Sequence, residues 1–109
     1  MNDAERRFMR TILFFDLPAV TKKDHREYTR FVKQLGKHGF AMLQESVYTK
    51  LSINESTAES TIRDLKKSLP PDGMISCLTI TEKQFAEIEV LLGQMETDVL
   101  MSMDKVVHL

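Results

Sequence analysis

Apolar side chains recur along the chain with two different periods, which distinguish strands from helices. Residues 8–17 are dense in β-branched and aromatic types and stop at Pro18, a pattern that predicts a central strand ending in a turn. The spacing of Thr21 and Asp24 is a helix-start signal. An apolar stripe with helical spacing follows, made of Tyr28, Phe31, Val32 and Leu35. We therefore predict an amphipathic helix that Gly39 terminates.

The middle of the chain repeats this order of strand and helix. Residues 40–53 return to a strand pattern, which fits either one long bent strand or a hairpin. Asn54 and the capping box at 56–59 then start a second helix. Its predicted buried stripe consists of Ala58, Ile62, Leu65 and Leu69. Two prolines and a glycine within 70–73 end it in a turn.

The last third predicts three short strands and a helical turn. Residues 74–80 form the first strand, and a capping box at 81–84 opens the turn. Residues 88–92 are predicted as a strand that Gly93 ends, and 105–109 as a final one. Strands and helices in this order predict an α/β (α+β) sandwich with helices on one face of a mainly antiparallel sheet.

The size of the chain suits one domain over 1–109. It has 109 residues, of which 42% are hydrophobic. A chain this small leaves one sheet face in need of a cover, and a second copy is the economical one. Its apolar runs are too short to span a membrane and its start lacks a signal segment, so we expect a cytoplasmic protein. The single cysteine, Cys77, excludes an internal disulfide and is expected to be buried.

Charge is unevenly distributed along the sequence. The net charge is −1, but residues 1–50 carry ten Lys/Arg against six Asp/Glu (net +4), and residues 51–109 carry five against ten (net −5). Because fields act within a Debye length, the basic half could attract phosphates while the acidic half meets a basic protein. Equally, folding could intermix the two halves.

Asp16 is the main candidate for chemistry, because it stands at the end of the first predicted strand. Two interpretations stay open. The carboxylate either forms an Asx-type turn before Pro18 or contributes to a magnesium site, which takes one or two carboxylates with waters and phosphate oxygens. One carboxylate is too little for such a site, but a dimer could bring two copies of Asp16 together.

Basic residues dominate the first predicted helix and the loop before it. Such side chains make the phosphate contacts that position nucleic acid without reading its sequence, although each could also belong to a solvated helix face. The candidates are Lys22, Lys23, Arg26, Arg30, Lys33 and Lys37.

Other function classes lack their signatures. The three histidines have no ligand spacing, and neither a glycine-rich phosphate loop nor a G-x-S-x-G elbow is present. An RNA-recognition motif would fit the order of elements, but its base-stacking aromatic patterns are missing.

A resemblance to a known family is carried by residues 8–18 (FMRTILFFDLP), 28–31 (YTRF), 39–51 (GFAMLQESVYTKL) and 78–85 (LTITEKQF). In these segments the chain resembles the CRISPR-associated protein Two family, especially its type II branch. The resemblance implies a ferredoxin-like βαββαβ homodimer in which the C-terminal extension, about 94–109, ends in a strand near 105–109 that pairs with the partner subunit. It also implies that the homodimer sits between two dimers of the CRISPR integrase, the companion protein One.

The resemblance implies two possible activities. One is a non-catalytic bridge that holds double-stranded prespacer and CRISPR repeat DNA during spacer acquisition in antiviral defence. The other is a magnesium-dependent endoribonuclease or endonuclease acting through paired Asp16, the position that the family assigns to Mg²⁺. The family motif often reads Tyr-Asp where this chain has Phe15-Asp16. With one carboxylate per chain and no evident general base, we favour the bridge.

Overall fold

The computed structural model describes residues 7–96 and residue 99. Its strands are β1 (Met9–Asp16), β2 (Ala41–Gln44), β3 (Val47–Ser52) and β4 (Met74–Thr81). Its helices are α1 (Lys22–Lys37), α2 (Glu55–Leu65), which continues into a 3-10 turn (Lys66–Ser68), and the short α3 (Glu82–Phe85). Among these residues, no helix combines the length and the apolar content that a membrane crossing requires.

The four strands form one antiparallel sheet in the order β2-β3-β1-β4. This order and the helical crossovers α1 and α2 confirm the ferredoxin-like α+β fold. Residues 40–53 form a hairpin with an irregular register near Met42 and Gln44, which settles the alternative left open by the sequence. Ser46 occupies the hairpin turn with a φ of 63°.

Both long helices pack on one face of the sheet. Leu13 and Phe15 of β1 meet Phe31 and Leu35 of α1 and Leu65 of α2 in a single buried cluster. The Phe15 ring lies edge-on to Phe31, with ring centroids 5.3 Å apart. The apolar stripes predicted for α1 and α2 therefore face the same core.

The predicted helix boundaries of α1 and α3 are confirmed by their hydrogen bonds. Thr21 and Asp24 form a reciprocal capping box at the start of α1, and Gly39 follows its last turn with a φ of +87°. Thr81 and Gln84 form the same box at α3. At α2 the cap is Asn54, whose side chain accepts from the Thr57 N–H at 2.8 Å, so the box predicted at 56–59 is wrong by two residues.

The opposite face of the sheet carries a second cluster, made of Ile12, Leu43, Phe85 and Val99. Beside it, the Arg10 guanidinium forms a two-pronged ion pair with Glu82, with Nε to Oε1 at 2.9 Å. The two side chains are 2% and 3% exposed, and the guanidinium also lies 4.5 Å from the Phe85 ring centroid. This pair ties α3 to the centre of the sheet.

Three further sequence predictions are wrong. Residues 88–92 form no strand, and Leu91 and Leu92 are 86% and 95% exposed; a strand needs a backbone partner, and the described part of the chain offers none there. Leu69 lies beyond the end of α2 and is exposed, and Cys77 is exposed on the edge strand β4. The strand predicted at 105–109 lies outside the described residues.

We predict that Glu82→Gln destabilises the fold by roughly 3 kcal/mol, because it removes the carboxylate that pairs with the buried Arg10 guanidinium. Urea unfolding at equal protein concentrations measures the change, with the exposed Glu87→Gln as the matched control. Replacing both partners, Arg10→Met with Glu82→Leu, should cost much less. Equal urea midpoints for Glu82→Gln and Glu87→Gln would contradict the assignment.

Candidate nucleic-acid interface and the Asp16 carboxylate

Asp16 is the last residue of β1 and is exposed to solvent. It pairs with Met74, the first residue of β4. Because side chains alternate along a strand, Asp16 is on the sheet face of Ile12, opposite to the helices that cover Phe15. The carboxylate therefore stands at one end of the sheet, on the face opposite to the long helices α1 and α2, which is the face that also carries Phe85 of α3.

The backbone around Asp16 is held from both sides. The Phe15 N–H donates to the Ser46 carbonyl at 3.1 Å, which fixes the hairpin turn against β1. On the other side Gly73, with a φ of +105°, approaches so closely that a Cβ would lie 2.8 Å from the Asp16 carbonyl oxygen and 2.7 Å from a Leu17 methyl. Only a residue without a side chain fits there, so this turn fixes the end of β1.

The described residues of one chain do not complete a magnesium site. The described residues contain no group of three or more His, Cys, Asp or Glu side chains able to hold a metal ion. The exposed Asp16 can supply one ligand, which matches the small number of carboxylates that Mg²⁺ takes when phosphates and waters complete its shell. The described residues of a single chain thus do not fit a resident metal on their own.

The six basic candidates are all exposed, and five of them form one stripe along α1. These five, called here the α1 stripe, are Lys22, Arg26, Arg30, Lys33 and Lys37. At 100° per residue these five residues occupy an arc of about 80° around the helix axis, and at 1.5 Å per residue they span about 22 Å along it. The buried Phe31 and Leu35 lie on the opposite side of the helix, so the α1 stripe points away from the sheet.

The acidic residues near the α1 stripe are engaged in local contacts. Asp24 accepts the backbone N–H groups of Thr21 and Val20 at 3.0 and 3.1 Å, and these bonds, that of Thr21 first, lower the pKa of its carboxyl. The Glu27 carboxylate Oε1 lies 3.8 Å from Nη1 of the Arg30 guanidinium, and Glu27 is half-buried. The positive field of the α1 stripe is therefore only partly offset.

Sequence reasoning missed several charged residues. Lys50 lies on the helix-facing side of β3, where its Nζ donates to Thr61 Oγ1 at 3.0 Å and burial lowers the pKa of its amine. The sequence signal for the inward position of Lys50 was its place between Tyr48 and Ser52 in a strand pattern. The partnership of Arg10 with Glu82 joins positions 72 residues apart, and no local pattern contains it.

Comparisons with known proteins agree with this fold. Residues 9–88 match a family model described as CRISPR associated protein Cas2. The chain is 42% identical over 101 residues to the CRISPR-associated endoribonuclease Cas2 of Treponema denticola, covering 93% of this chain and 100% of that protein. The proteins of the same name from Ligilactobacillus salivarius and Streptococcus mutans serotype c are 37% and 43% identical over 101 residues. These alignments cover 93% of this chain and 100% and 93% of the two relatives.

We predict that Gly73→Ala destabilises the protein more than Gly93→Ala. Both residues have a positive φ, but a Cβ at Gly93 would meet nothing within 4 Å, so the pair separates the steric contact from backbone strain. We expect backbone strain to lower the free energy of unfolding by about 1 kcal/mol at either position. At Gly73 the steric contact should lower it further. Urea unfolding measures both, and amide NMR shifts of Asp16 and Leu17 should move only in Gly73→Ala. An equal loss in both variants would show that the contact is unimportant.

Proposed function

The chain belongs to the CRISPR associated protein Cas2 family, and we propose that it acts in the cytoplasm as a homodimeric, non-catalytic bridge for double-stranded prespacer DNA. In this role it joins the integrase, the family's companion protein One, and contacts prespacer and CRISPR repeat DNA during spacer acquisition. The observation that carries the proposal is the α1 stripe, five exposed cations along one side of a straight helix.

The α1 stripe suits a duplex rather than a small ligand. Its span of about 22 Å corresponds to six or seven base pairs at ~3.4 Å each. The cations are exposed and point away from the sheet, so they can follow a nucleic-acid backbone along the outer side of α1. Contacts of this kind fix the position of DNA and leave its sequence unread, as a bridge for varied prespacers requires.

The sheet face opposite to the helices supports a homodimer. The second cluster covers only part of this face, and Phe14, Leu78 and Met74 remain 43%, 53% and 70% exposed. A second copy placed on this face would bury them. Residues 88–92 would then have the backbone partner that they lack, because β4 is an edge strand of the described sheet. The exposed Glu87, just before this segment, and Glu89 within it suit docking against a basic surface of the integrase.

A magnesium-dependent endoribonuclease or endonuclease is the second candidate function. The relatives carry endoribonuclease in their names, and Asp16 is exposed at a rigid strand end. In this candidate the homodimer pairs two Asp16 carboxylates around Mg²⁺, which would polarise a phosphate. The family motif often has a tyrosine at the position of Phe15. The Phe15 ring packs in the helix-side core, so a tyrosine hydroxyl there would lie on the opposite side of the sheet from Asp16. Its absence therefore does not change the surroundings of the Asp16 carboxylate.

We predict that Asp16→Ala leaves the bridge intact. Light scattering on this protein, its cognate integrase and duplex DNA in magnesium should give a complex of fixed stoichiometry for wild type and for Asp16→Ala. The complex should also integrate DNA with either protein. Glu59→Ala, which removes an exposed carboxylate from α2, is the control. Absence of a complex, together with Asp16-dependent cleavage of RNA or DNA by this protein alone, would favour the nuclease.

We predict that Arg26→Gln and Lys33→Gln each weaken duplex binding and flatten its salt dependence. The slope of log Kobs against log[salt] should fall by about 0.9 for each phosphate contact that is lost, and by twice that where both protomers make the contact. Fluorescence anisotropy across a range of salt concentrations measures the slope. Lys83→Gln is the control. It removes an exposed charge from α3, which lies at the end of the sheet opposite to Asp16, and it should leave the slope unchanged. A slope equal to the control in both variants would exclude the α1 stripe as the interface.

A further inference from the structure

A second group of cations lies at the C-terminus of α2 and in the 3-10 turn that follows it. Arg63, Lys66 and Lys67 are all exposed, and this group is called here the α2 row. Lys67 contacts only Asp64 among the described acidic residues, at 3.6 Å, with side-chain exposures of 76% and 60%. An ion pair this exposed contributes little and is easily exchanged, so Lys67 can turn to another anion.

The α2 row and the start of the α1 stripe lie at the same end of the molecule. β1 ends at Asp16, where it pairs with the first residue of β4. α1 leaves from that end and α2 returns to it, because the turn at 70–73 leads directly into β4. One cleft is lined by both Lys23 of α1 and Pro70 of the turn after α2, which places the two helix ends side by side.

The two helices present their cations in one layer. Phe31 of α1 and Leu65 of α2 belong to the same buried cluster, so the opposite sides of both helices face solvent. Arg63 of α2 and Lys67 of the 3-10 turn are both exposed, whereas Ala58 and Leu65 are the buried residues of α2. The acidic Glu55 and Glu59 lie toward the other end of α2. At the Asp16 end the exposed carboxylates are Asp16 itself, Asp64, which pairs with Lys67, and Asp72, so the positive field of the α2 row is partly offset.

Both groups of cations project to solvent from the helix layer. Their closest approach is at the Asp16 end, where Lys23 and Pro70 line one cleft. One duplex laid over that end can therefore meet cations of both helices, whereas the α1 stripe alone meets it along a single helix.

We propose that the α2 row is a second phosphate-binding site, so that duplex nucleic acid lies across α1 and α2 at the Asp16 end. The proposal rests on the proposed function and names the surface that the bridge uses. It assigns Arg63 and Lys67 to direct phosphate contacts and predicts more contacts than the α1 stripe supplies.

The test uses synthetic duplex DNA and the full chain carrying Arg63→Gln with Lys67→Gln. The slope of log Kobs against log[salt] should fall by about 1.8 for the two lost contacts, and the charge-retaining pair Arg63→Lys with Lys67→Arg should restore it. Lys83→Gln is the control for loss of charge elsewhere. Thermal unfolding without DNA reports the competing role of these cations, which is stabilisation of a helix C-terminus.

The outcomes separate the two proposals. If wild type shows no salt-dependent duplex binding, the proposed function fails. If Arg26→Gln flattens the slope but Arg63→Gln with Lys67→Gln behaves like Lys83→Gln, the α2 row is not a phosphate site and the bridge still stands. A lower unfolding temperature with an unchanged slope would assign the α2 row to helix stability and overturn the inference.

Discussion

The central position of β1 is the constraint on which the rest of the structure depends. Hydrogen bonding to β3 on one side and β4 on the other fixes its register, and a fixed register decides which residue faces which layer. Leu13 and Phe15 consequently join the helix-side core, while Ile12 joins the second cluster. A slip of one residue would exchange the two sets and would also move Asp16 to the helix side.

The buried ion pair between Arg10 and Glu82 adds a second, more specific constraint. Desolvating two charges is expensive, so such a pair adds little net stability but strongly penalises any arrangement that separates it. Arg10 is on β1 and Glu82 opens α3, so the pair fixes the point at which the chain turns onto the second face of the sheet. Phe85 follows at once and fills that face. The exposed segment 88–92 is therefore held close to the area that a second copy would cover.

Local patterns predicted the parts of the fold in which the signal is local. The run of β-branched and aromatic residues identified β1, and the helical spacing of Phe31 and Leu35 identified α1 together with its buried side. The same patterns failed at 88–92, because a strand is defined by a partner and the sequence carries no record of where one lies. They failed at Cys77 because β4 is an edge strand, and edge position depends on the topology of the whole sheet. The partnership of Arg10 with Glu82 lay outside their range for the same reason.

The positions of the α1 stripe and of Asp16 bear directly on the choice between bridge and nuclease. Asp16 is on the sheet face opposite to the helices, whereas the α1 stripe is on the outer side of the helix layer. A helix with its side chains is about 10–12 Å thick, so the helix layer and the sheet both separate the outer side of α1 from the Asp16 carboxylate. Under the proposed function, phosphates on the α1 stripe would therefore lie beyond direct contact with that carboxylate. The proposed bridge thus needs no chemistry from Asp16, whereas the nuclease needs the phosphate on the other face of the sheet.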